Sequence, residues 1–144
     1  MKAKFVYEAM SDVLKGKSEE EITSLIKRRS NINLNNELIK SSYDGRISVV
    51  ELLLKCGADV HADNDEALKW ASFYSYLNII KLLLKYGADI HANDDEALQV
   101  ASRNGHYDVV KLLLDVGANV HARILKIAQM NSHTNIVELL KKYM

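Results

Sequence analysis

Apolar residues recur at helical spacing in three copies of one segment. The run from Val49 to Ala62 reappears from Ile79 to Ala92 and again from Val109 to Ala122, so the copies begin 30 residues apart. Within each copy the apolar residues follow the spacing of one helix face, and a glycine follows the last turn, where a left-handed residue commonly ends a helix. These helix-ending glycines are Gly57, Gly87 and Gly117. The pattern predicts three copies of one helix and its exit turn.

A shorter apolar pattern precedes each of these helices and predicts a second helix in every copy. Glu66 to Ser72 and Glu96 to Ser102 carry this pattern, and Gly45 and Gly105 separate two of the earlier helices from the later ones. Asp and Asn residues stand immediately before Glu66 and Glu96. Such side chains accept hydrogen bonds from the free amides of a helix start, so we expect them to be caps. Each repeat is therefore predicted to be a pair of helices.

The repeats divide the chain into one domain with altered ends. Repeats cover residues 35–62, 63–92 and 93–122, the first of which is an altered copy that keeps mainly the second helix. Residues 123–144 repeat the pattern with three residues omitted near the start. Residues 1–34 hold two amphipathic stretches, which we interpret as an N-terminal capping helix pair. Repeat arrays need polar outer faces at both ends, and charged residues supply them here. The predicted fold is all-α, an α-solenoid of stacked antiparallel helix pairs with short turns.

The residues of the third copy resemble the ankyrin-repeat family. The resemblance rests on Ala101, Asn104 to His106, Asp108 to Leu114 and Gly117 to Val120, and it extends over nearly the whole chain from Asn35 onward. It implies stacked helical pairs that present their first helices and turns on a concave face. It also implies that this face binds a partner protein.

The chain departs from the family pattern in two respects. Its period is 30 residues, whereas the family period is about 33, and the difference falls in the turn between repeats. The family's Thr-Pro-Leu-His opening is absent, and Glu66-Ala67-Leu68-Lys69 stands in one of its places. Short turns with acidic openings resemble the ankyrin proteins of giant DNA viruses of the mimivirus type. We expect short projecting turns between the repeats.

Composition limits the classes of partner and the cell compartment. Lysine and arginine together number 19, as do aspartate and glutamate, so no net charge favours nucleic acid or an anionic membrane. No apolar run approaches the roughly 18 to 20 residues that span a bilayer. Cys56 is the only cysteine, which excludes an internal disulfide and fits a reducing compartment. We expect a cytoplasmic protein, in the host cytoplasm if the chain is viral, with no nucleic-acid or membrane partner.

Aromatic residues are concentrated on the first helix of the middle repeat. Trp70, Phe73 and Tyr74 lie there and Tyr76 follows just after, and Trp70 and Tyr74 are four residues apart on one helix face. Tyr43 of the preceding repeat and Arg103 and Asn104 of the following one occupy equivalent places. One interpretation is a binding hot spot, since Trp and Tyr dominate interface energies at central positions. The alternative is that Trp70 packs between helices and the tyrosines cover the core.

Acidic residues and histidines recur at fixed places in the turns. Asp65 and Asp95 belong to a set of six carboxylates on two adjacent turns, which would bind a basic partner surface or would only cap helices. The histidines form a row, but stacked helices lie about 8 to 10 Å apart, too far to share one zinc ion. We interpret them as turn hydrogen-bonding residues. The row consists of His61, His91 and His121.

No pattern of catalytic residues accompanies the repeats. No nucleophile stands beside a candidate base, and no glycine-rich phosphate loop is present. We therefore expect no enzymatic activity, no cofactor and no metal. The leading hypothesis is a monomeric scaffold or adaptor that binds a partner protein. The alternative is an architectural protein whose repeats self-associate.

Overall fold

The computed structural model describes residues 20, 24 and 33–144. The predicted capping helix pair over residues 1–34 therefore lies almost entirely outside the described residues. Residues 33–144 form eight helices and no strand, in agreement with the predicted all-α class. The helices are α1 (Leu34–Asp44), α2 (Ile47–Lys55), α3 (Ala62–Phe73), α4 (Leu77–Lys85), α5 (Ala92–Asn104), α6 (Tyr107–Asp115), α7 (Ala122–Met130) and α8 (Thr134–Lys142).

The helices form four successive pairs, and each pair packs on the next. Two or three residues join the helices of a pair, and the first helices of neighbouring pairs (α1, α3, α5 and α7) pack on one another in sequence. This confirms the predicted α-solenoid of stacked helix pairs. The first helices contact each other more extensively than the second helices do. Small buried side chains on α3 and α5 permit this close approach, and they are Ala67, Ala71, Ala97 and Ala101.

One continuous apolar core runs along the array. Equivalent leucines of the first helices, Leu38, Leu68 and Leu98, are at most 2% exposed, and they join one cluster with the leucines of the second helices. Fully burying a leucine side chain stabilises a fold by about 1.5 to 3 kcal/mol. Because each repeat contributes the same residues, the stacking of neighbouring repeats holds the array together.

The turn within each pair keeps one left-handed residue, whether or not that residue is glycine. Gly45 and Gly105 have φ of 75° and 76°, and Ser75 and Ser132 occupy the same place with φ of 61° and 59°. Few residues other than glycine adopt positive φ, so the serines hold a conformation that the surrounding contacts must stabilise. The turns with serine keep the left-handed residue, although the preceding helix ends one residue earlier there.

The first helices of the middle repeats begin differently from the predicted caps. Residues 63–65 and 93–95 each form a left-handed turn, with φ between 52° and 58°. No side-chain cap hydrogen bond is made at the start of α3 or α5. Asn and Asp are the non-glycine residues that tolerate this conformation best. The turns direct Asp65 and Asp95 inward, where both are buried.

The last repeat lacks this left-handed turn because the chain is three residues shorter there. His121 precedes α7 with an extended backbone, ψ 152°, and α7 begins directly after it. A cavity of about 230 Å³ remains between the last two repeats, lined in part by His121 and Arg123. The equivalent place between α3 and α5 holds only about 10 Å³. The omission thus opens a notch at the C-terminal end of the array.

Candidate protein-binding surface

Five aromatic side chains of the first two described repeats form one contiguous group, called the aromatic cluster below. Its members are Tyr43, Trp70, Phe73, Tyr74 and Tyr76. Tyr43 of α1 packs edge-to-face on Trp70 and on Tyr74, with ring centroids 5.0 Å apart in both pairs. Phe73 and Tyr76 extend the cluster through contacts of 5.6 Å with Trp70 and 5.7 Å with Tyr74. The fold therefore brings together the aromatic residues that the sequence singled out.

The aromatic cluster is partly open to solvent. Tyr43 is 44% exposed and Tyr74 is 37% exposed, whereas Trp70, Phe73 and Tyr76 are half-buried. Both sequence interpretations describe part of this arrangement, because Trp70 packs against its neighbours while the tyrosines leave ring surface accessible. Edge-to-face contacts hold the rings in place before any partner arrives.

Polar contacts fix the orientation of the tryptophan. The Trp70 indole Nε1 donates a hydrogen bond to Glu66 Oε1 at 3.0 Å, one helical turn earlier. The Lys69 ammonium lies 4.7 Å from the centroid of the Trp70 ring and 3.7 Å from Glu66 Oε1. An indole N–H that is partly buried needs such an acceptor, and the carboxylate supplies it. Trp70 is thus held in one position by residues of its own helix.

The hydroxyl group of Tyr74 interacts with the neighbouring tyrosine. The pKa of Tyr74 is raised above its ordinary value, first by a side-chain hydrogen bond with Tyr43 and then by partial desolvation. A raised tyrosine pKa keeps the phenol neutral over a wider range of alkaline pH. The Tyr74 phenol therefore stays uncharged beside Tyr43 over that wider range.

Arg103 and Asn104 lie beside the aromatic cluster at the end of α5. The Asn104 side chain donates to the Phe73 carbonyl at 3.1 Å, and the ring of His106 contacts the same carbonyl at 2.7 Å. These bonds tie the third repeat to the end of α3. Arg103 is exposed, and its guanidinium forms no ion pair among residues 33–144. Asn104 acts as a link between repeats, whereas Arg103 is available to a partner.

A row of side-chain acceptors links the start of the first helix in three repeats to the turn that follows the second helix of the same repeat. The Asp65 carboxylate accepts a hydrogen bond from the Asp89 backbone amide at 2.8 Å, and Asp95 accepts one from Asn119 at 3.1 Å. Asn35 makes the equivalent bond to Asp59, also at 2.8 Å. Donor and acceptor are 24 residues apart in all three cases. This row of bonds is called the amide row below.

The amide row corrects the expected role of two carboxylates. Asp65 is 5% exposed and Asp95 is 2% exposed, so neither presents its carboxylate on the surface that a partner would contact. Their oxygens are occupied by an amide of the turn that follows the second helix and by histidine rings. The sequence signal for this structural role was the recurrence of the aspartate at the same place in successive repeats. A residue that recognises a partner need not recur in this way.

The histidine row makes the turn hydrogen bonds that the sequence predicted. His61 Nδ1 lies 3.1 Å from the Asp65 carboxylate, and His91 Nδ1 lies 2.9 Å from that of Asp95. His121 Nε2, at the end of the turn after α6, lies 3.2 Å from the Asp95 carboxylate. Within the part of the chain that the structure describes, no group of three or more histidine, cysteine or acidic residues is placed to hold a metal ion.

Aromatic and histidine rings that cover the glycines of the preceding repeat form further links between repeats, which the sequence analysis did not predict. The ring of Tyr76 covers Gly45, and the ring of His133 covers Gly105 while its Nε2 contacts the Arg103 carbonyl at 2.8 Å. A Cβ atom on Gly105 would come within 2.7 Å of the His133 ring. The regular recurrence of a ring-bearing residue after the turn was the available sequence signal.

One comparison with known proteins finds a match. The family model described as ankyrin repeats (3 copies) matches residues 9–94 and residues 38–124. No curated protein matches the chain. No helix within residues 33–144 is long and apolar enough to cross a membrane.

Proposed function

Because the chain belongs to the ankyrin-repeat family, whose repeats are generally protein–protein interaction modules, we propose that it is a scaffold or adaptor that binds a partner protein on a concave face. The first helices and their turns would form this face. The closer packing of α1, α3, α5 and α7 supports this proposal, because an array curves toward the side on which its repeats approach most closely. The aromatic cluster belongs to the first helices α1 and α3 and to the turn after α3.

The observation that carries the proposal is the partly exposed aromatic cluster. Large aromatic side chains at the centre of an interface supply much of its binding energy. Rings that are already ordered lose little conformational entropy on binding, which increases affinity for a given contact area. Tyr43 and Tyr74 would make direct contact with the partner, and Trp70 would support them from below. Arg103 would lie at the edge of the same contact.

The proposed role needs no catalytic group. The recurring histidine and aspartate side chains are engaged in bonds between repeats, as His91 and Asp95 illustrate, rather than directed at one point. We further propose that the protein acts as a monomer in the cytoplasm, where the free thiol of Cys56 would remain reduced. Light scattering over a concentration series tests whether the protein is a monomer, and a molecular mass that rises with concentration would contradict this.

The function is tested with two matched double variants. Tyr43→Ala/Tyr74→Ala removes the exposed rings of the aromatic cluster. Tyr86→Ala/Tyr107→Ala removes two tyrosines that are each 37% exposed but lie outside the cluster. Affinity purification from the source cell with each protein as bait, followed by quantitative mass spectrometry, measures partner recovery. We expect the wild type and the control variant to recover the same partner, and the cluster variant to lose at least nine-tenths of it.

The controls separate folding from binding. Circular dichroism and thermal unfolding of both variants establish that the array remains folded, since each loses two partly exposed side chains. Equal recovery of every partner by all three proteins would exclude the aromatic cluster as the contact site. Failure of the wild type to recover any protein above a resin control would contradict the binding function itself.

A further inference from the structure

Charge is divided between the two halves of the first helices. The N-terminal halves and the turns before them, residues 33–39, 62–68 and 92–98, contain acidic residues and no lysine or arginine. The C-terminal halves and the turns after them, residues 40–46, 69–76 and 99–106, contain four cations and one carboxylate. The cations are Lys40, Arg46, Lys69 and Arg103, and the carboxylate is Asp44. Every member of the aromatic cluster lies in this basic half.

Helix dipoles account for part of this division, since acidic residues stabilise helix starts and basic residues stabilise helix ends. They do not account for where the cations lie relative to the rings. Lys40 precedes Tyr43 by three residues, so both lie on one face of α1. Arg103 occupies the place in its repeat that Tyr43 and Phe73 occupy in theirs. A cation therefore stands on each side of the aromatic cluster along the array.

These flanking cations are available for a partner. Lys40 and Arg103 are exposed, and neither forms an ion pair within residues 33–144. The nearby Glu66 carboxylate is already engaged by the Trp70 indole and by Lys69. The surface thus offers an apolar centre with one unpaired positive charge on either side.

From this arrangement we infer that the partner contributes an acidic segment with an aromatic or aliphatic side chain at its centre. The inference rests on the proposed function and specifies its partner. The central side chain packs on Tyr43 and Tyr74, and carboxylates before and after it pair with Lys40 and Arg103. Complementary charge of this kind selects partners and accelerates encounter, while the apolar contact supplies most of the affinity.

Single-stranded RNA also combines stacking with negative charge, but the geometry of the rings disfavours it. Bases stack on open aromatic faces. Here Tyr43 meets Trp70 and Tyr74 edge-to-face, and the Lys69 ammonium lies over the Trp70 ring. Tyr74 lies nearly parallel to Trp70 and to Tyr76, at interplanar angles of 24° and 26°, so its neighbours compete with a base for its ring faces. An apolar side chain can pack on ring edges, whereas a stacked base requires an open ring face.

Selection from a phage-displayed library of random twelve-residue peptides tests the inference, with the full chain as bait. We expect the wild type to enrich peptides that carry an aromatic or aliphatic residue between acidic residues. The Lys40→Gln/Arg103→Gln variant removes the flanking charges, and we expect it to bind the selected peptides about tenfold more weakly, with less dependence on salt. The Lys81→Gln/Lys85→Gln variant removes two exposed cations of α4 and should bind like the wild type.

The outcomes distinguish the inference from the function on which it rests. Enrichment of neutral or basic peptides that depend on Tyr43 and Tyr74 would overturn the acidic partner and leave protein binding in place. Enrichment of no peptide would count against both. Binding of a fluorescein-labelled oligouridylate, measured by fluorescence anisotropy, tests the RNA alternative. Binding of this probe more tightly than the selected peptides, with loss in the Lys40→Gln/Arg103→Gln variant, would overturn the inference in favour of nucleic acid.

Discussion

At the scale of single residues, the array depends on a few polar side chains that accept hydrogen bonds from the backbone of the turn between two helix pairs. Asp65 shows this most clearly, since its buried carboxylate accepts the Asp89 amide and also contacts His61. When a backbone amide loses its acceptor in a place that bulk water does not reach, the free energy of unfolding falls. The acidic character of this position is secondary, because Asn35 makes the same bond with an uncharged oxygen.

Substitution of Asp65 tests this account. Asp65→Ala should lower the free energy of unfolding by about 1 to 2 kcal/mol, because the Asp89 amide loses its partner. Asp65→Asn keeps an acceptor oxygen in the same place, as Asn35 does, and should lower the free energy of unfolding clearly less than Asp65→Ala does. Urea unfolding monitored by circular dichroism measures both values. Equal losses in the two variants would show that the charge, rather than the acceptor, is what stabilises the turn.

A second prediction concerns the contact between Gly105 and His133. Gly105→Ala should destabilise the array because the residue has φ of 76° and because its new Cβ would displace the His133 ring from the Arg103 carbonyl. The left-handed conformation alone costs a residue other than glycine about 1 to 2 kcal/mol. A double-mutant cycle with His133→Ala isolates the contact. We expect Gly105→Ala to cost less in the His133→Ala background, and strict additivity would contradict a steric role for the ring.

At the scale of elements, the last helix is attached to its neighbour by an exposed polar cluster. The Tyr143 hydroxyl, just after α8, donates to the carboxylate of Asp115, the last residue of α6, and the Lys111 ammonium lies 3.2 Å from the same carboxylate. The hydroxyl first, and then Lys111, lowers the pKa of Asp115. A carboxyl group with a lowered pKa stabilises the fold above its ordinary pKa, and this contribution disappears as the pH falls through the lowered value.

This cluster predicts a measurable change in titration. Tyr143→Phe removes the largest cause of the shift, so the pKa of Asp115 should rise toward its ordinary value. Carbon-13 NMR of the side-chain carboxyl group over the acid range measures this pKa. Tyr86→Phe, which removes an exposed hydroxyl elsewhere, is the control and should leave the titration of Asp115 unchanged. An unaltered pKa in Tyr143→Phe would show that the hydrogen bond is not maintained in solution.

At the scale of the whole molecule, stability depends on the number of neighbours that each repeat has. The middle repeats are covered on both sides, and Leu98 of α5 is fully buried. Leu125 of α7 is at the equivalent place in the last described repeat but is only half-buried. In stacked repeats the stabilising contacts are made between nearest neighbours. The same side chain should therefore contribute differently according to its repeat.

Two equivalent core substitutions measure that difference. Leu98→Ala should lower the free energy of unfolding by about 2 to 5 kcal/mol, because it leaves a cavity in the middle of the array. Leu125→Ala should lower it less, since part of that side chain is already in contact with water. Native-state hydrogen exchange should also show that Leu125→Ala affects α7 and α8 more than the middle helices. If Leu125→Ala lowered the free energy of unfolding as much as Leu98→Ala does, the contribution of a core leucine would not depend on the position of its repeat.

Much of the architecture could be predicted from the sequence alone, because the same local pattern of apolar residues and glycines recurs in several repeats. Apolar spacing and the recurring glycines were sufficient to predict the paired helices and their stacking. The aromatic residues were also recognisable, since Trp70 and Tyr74 lie four residues apart and therefore share a helix face. Local periodicity determines which face of a helix a residue occupies, and this information is contained in the chain itself.

Only the tertiary structure decided which polar residues serve the stack and which remain exposed. Asp65 and Lys40 are both charged residues of first-helix segments, yet Asp65 is buried beneath the turn that follows α4 and Lys40 is exposed. The left-handed turns at residues 63–65 and 93–95 cause this difference, because they direct a carboxylate inward toward an amide 24 residues away. The amide that Asp65 binds lies 24 residues along the chain, in the turn after the second helix, so the pairing depends on how the helices pack rather than on local spacing.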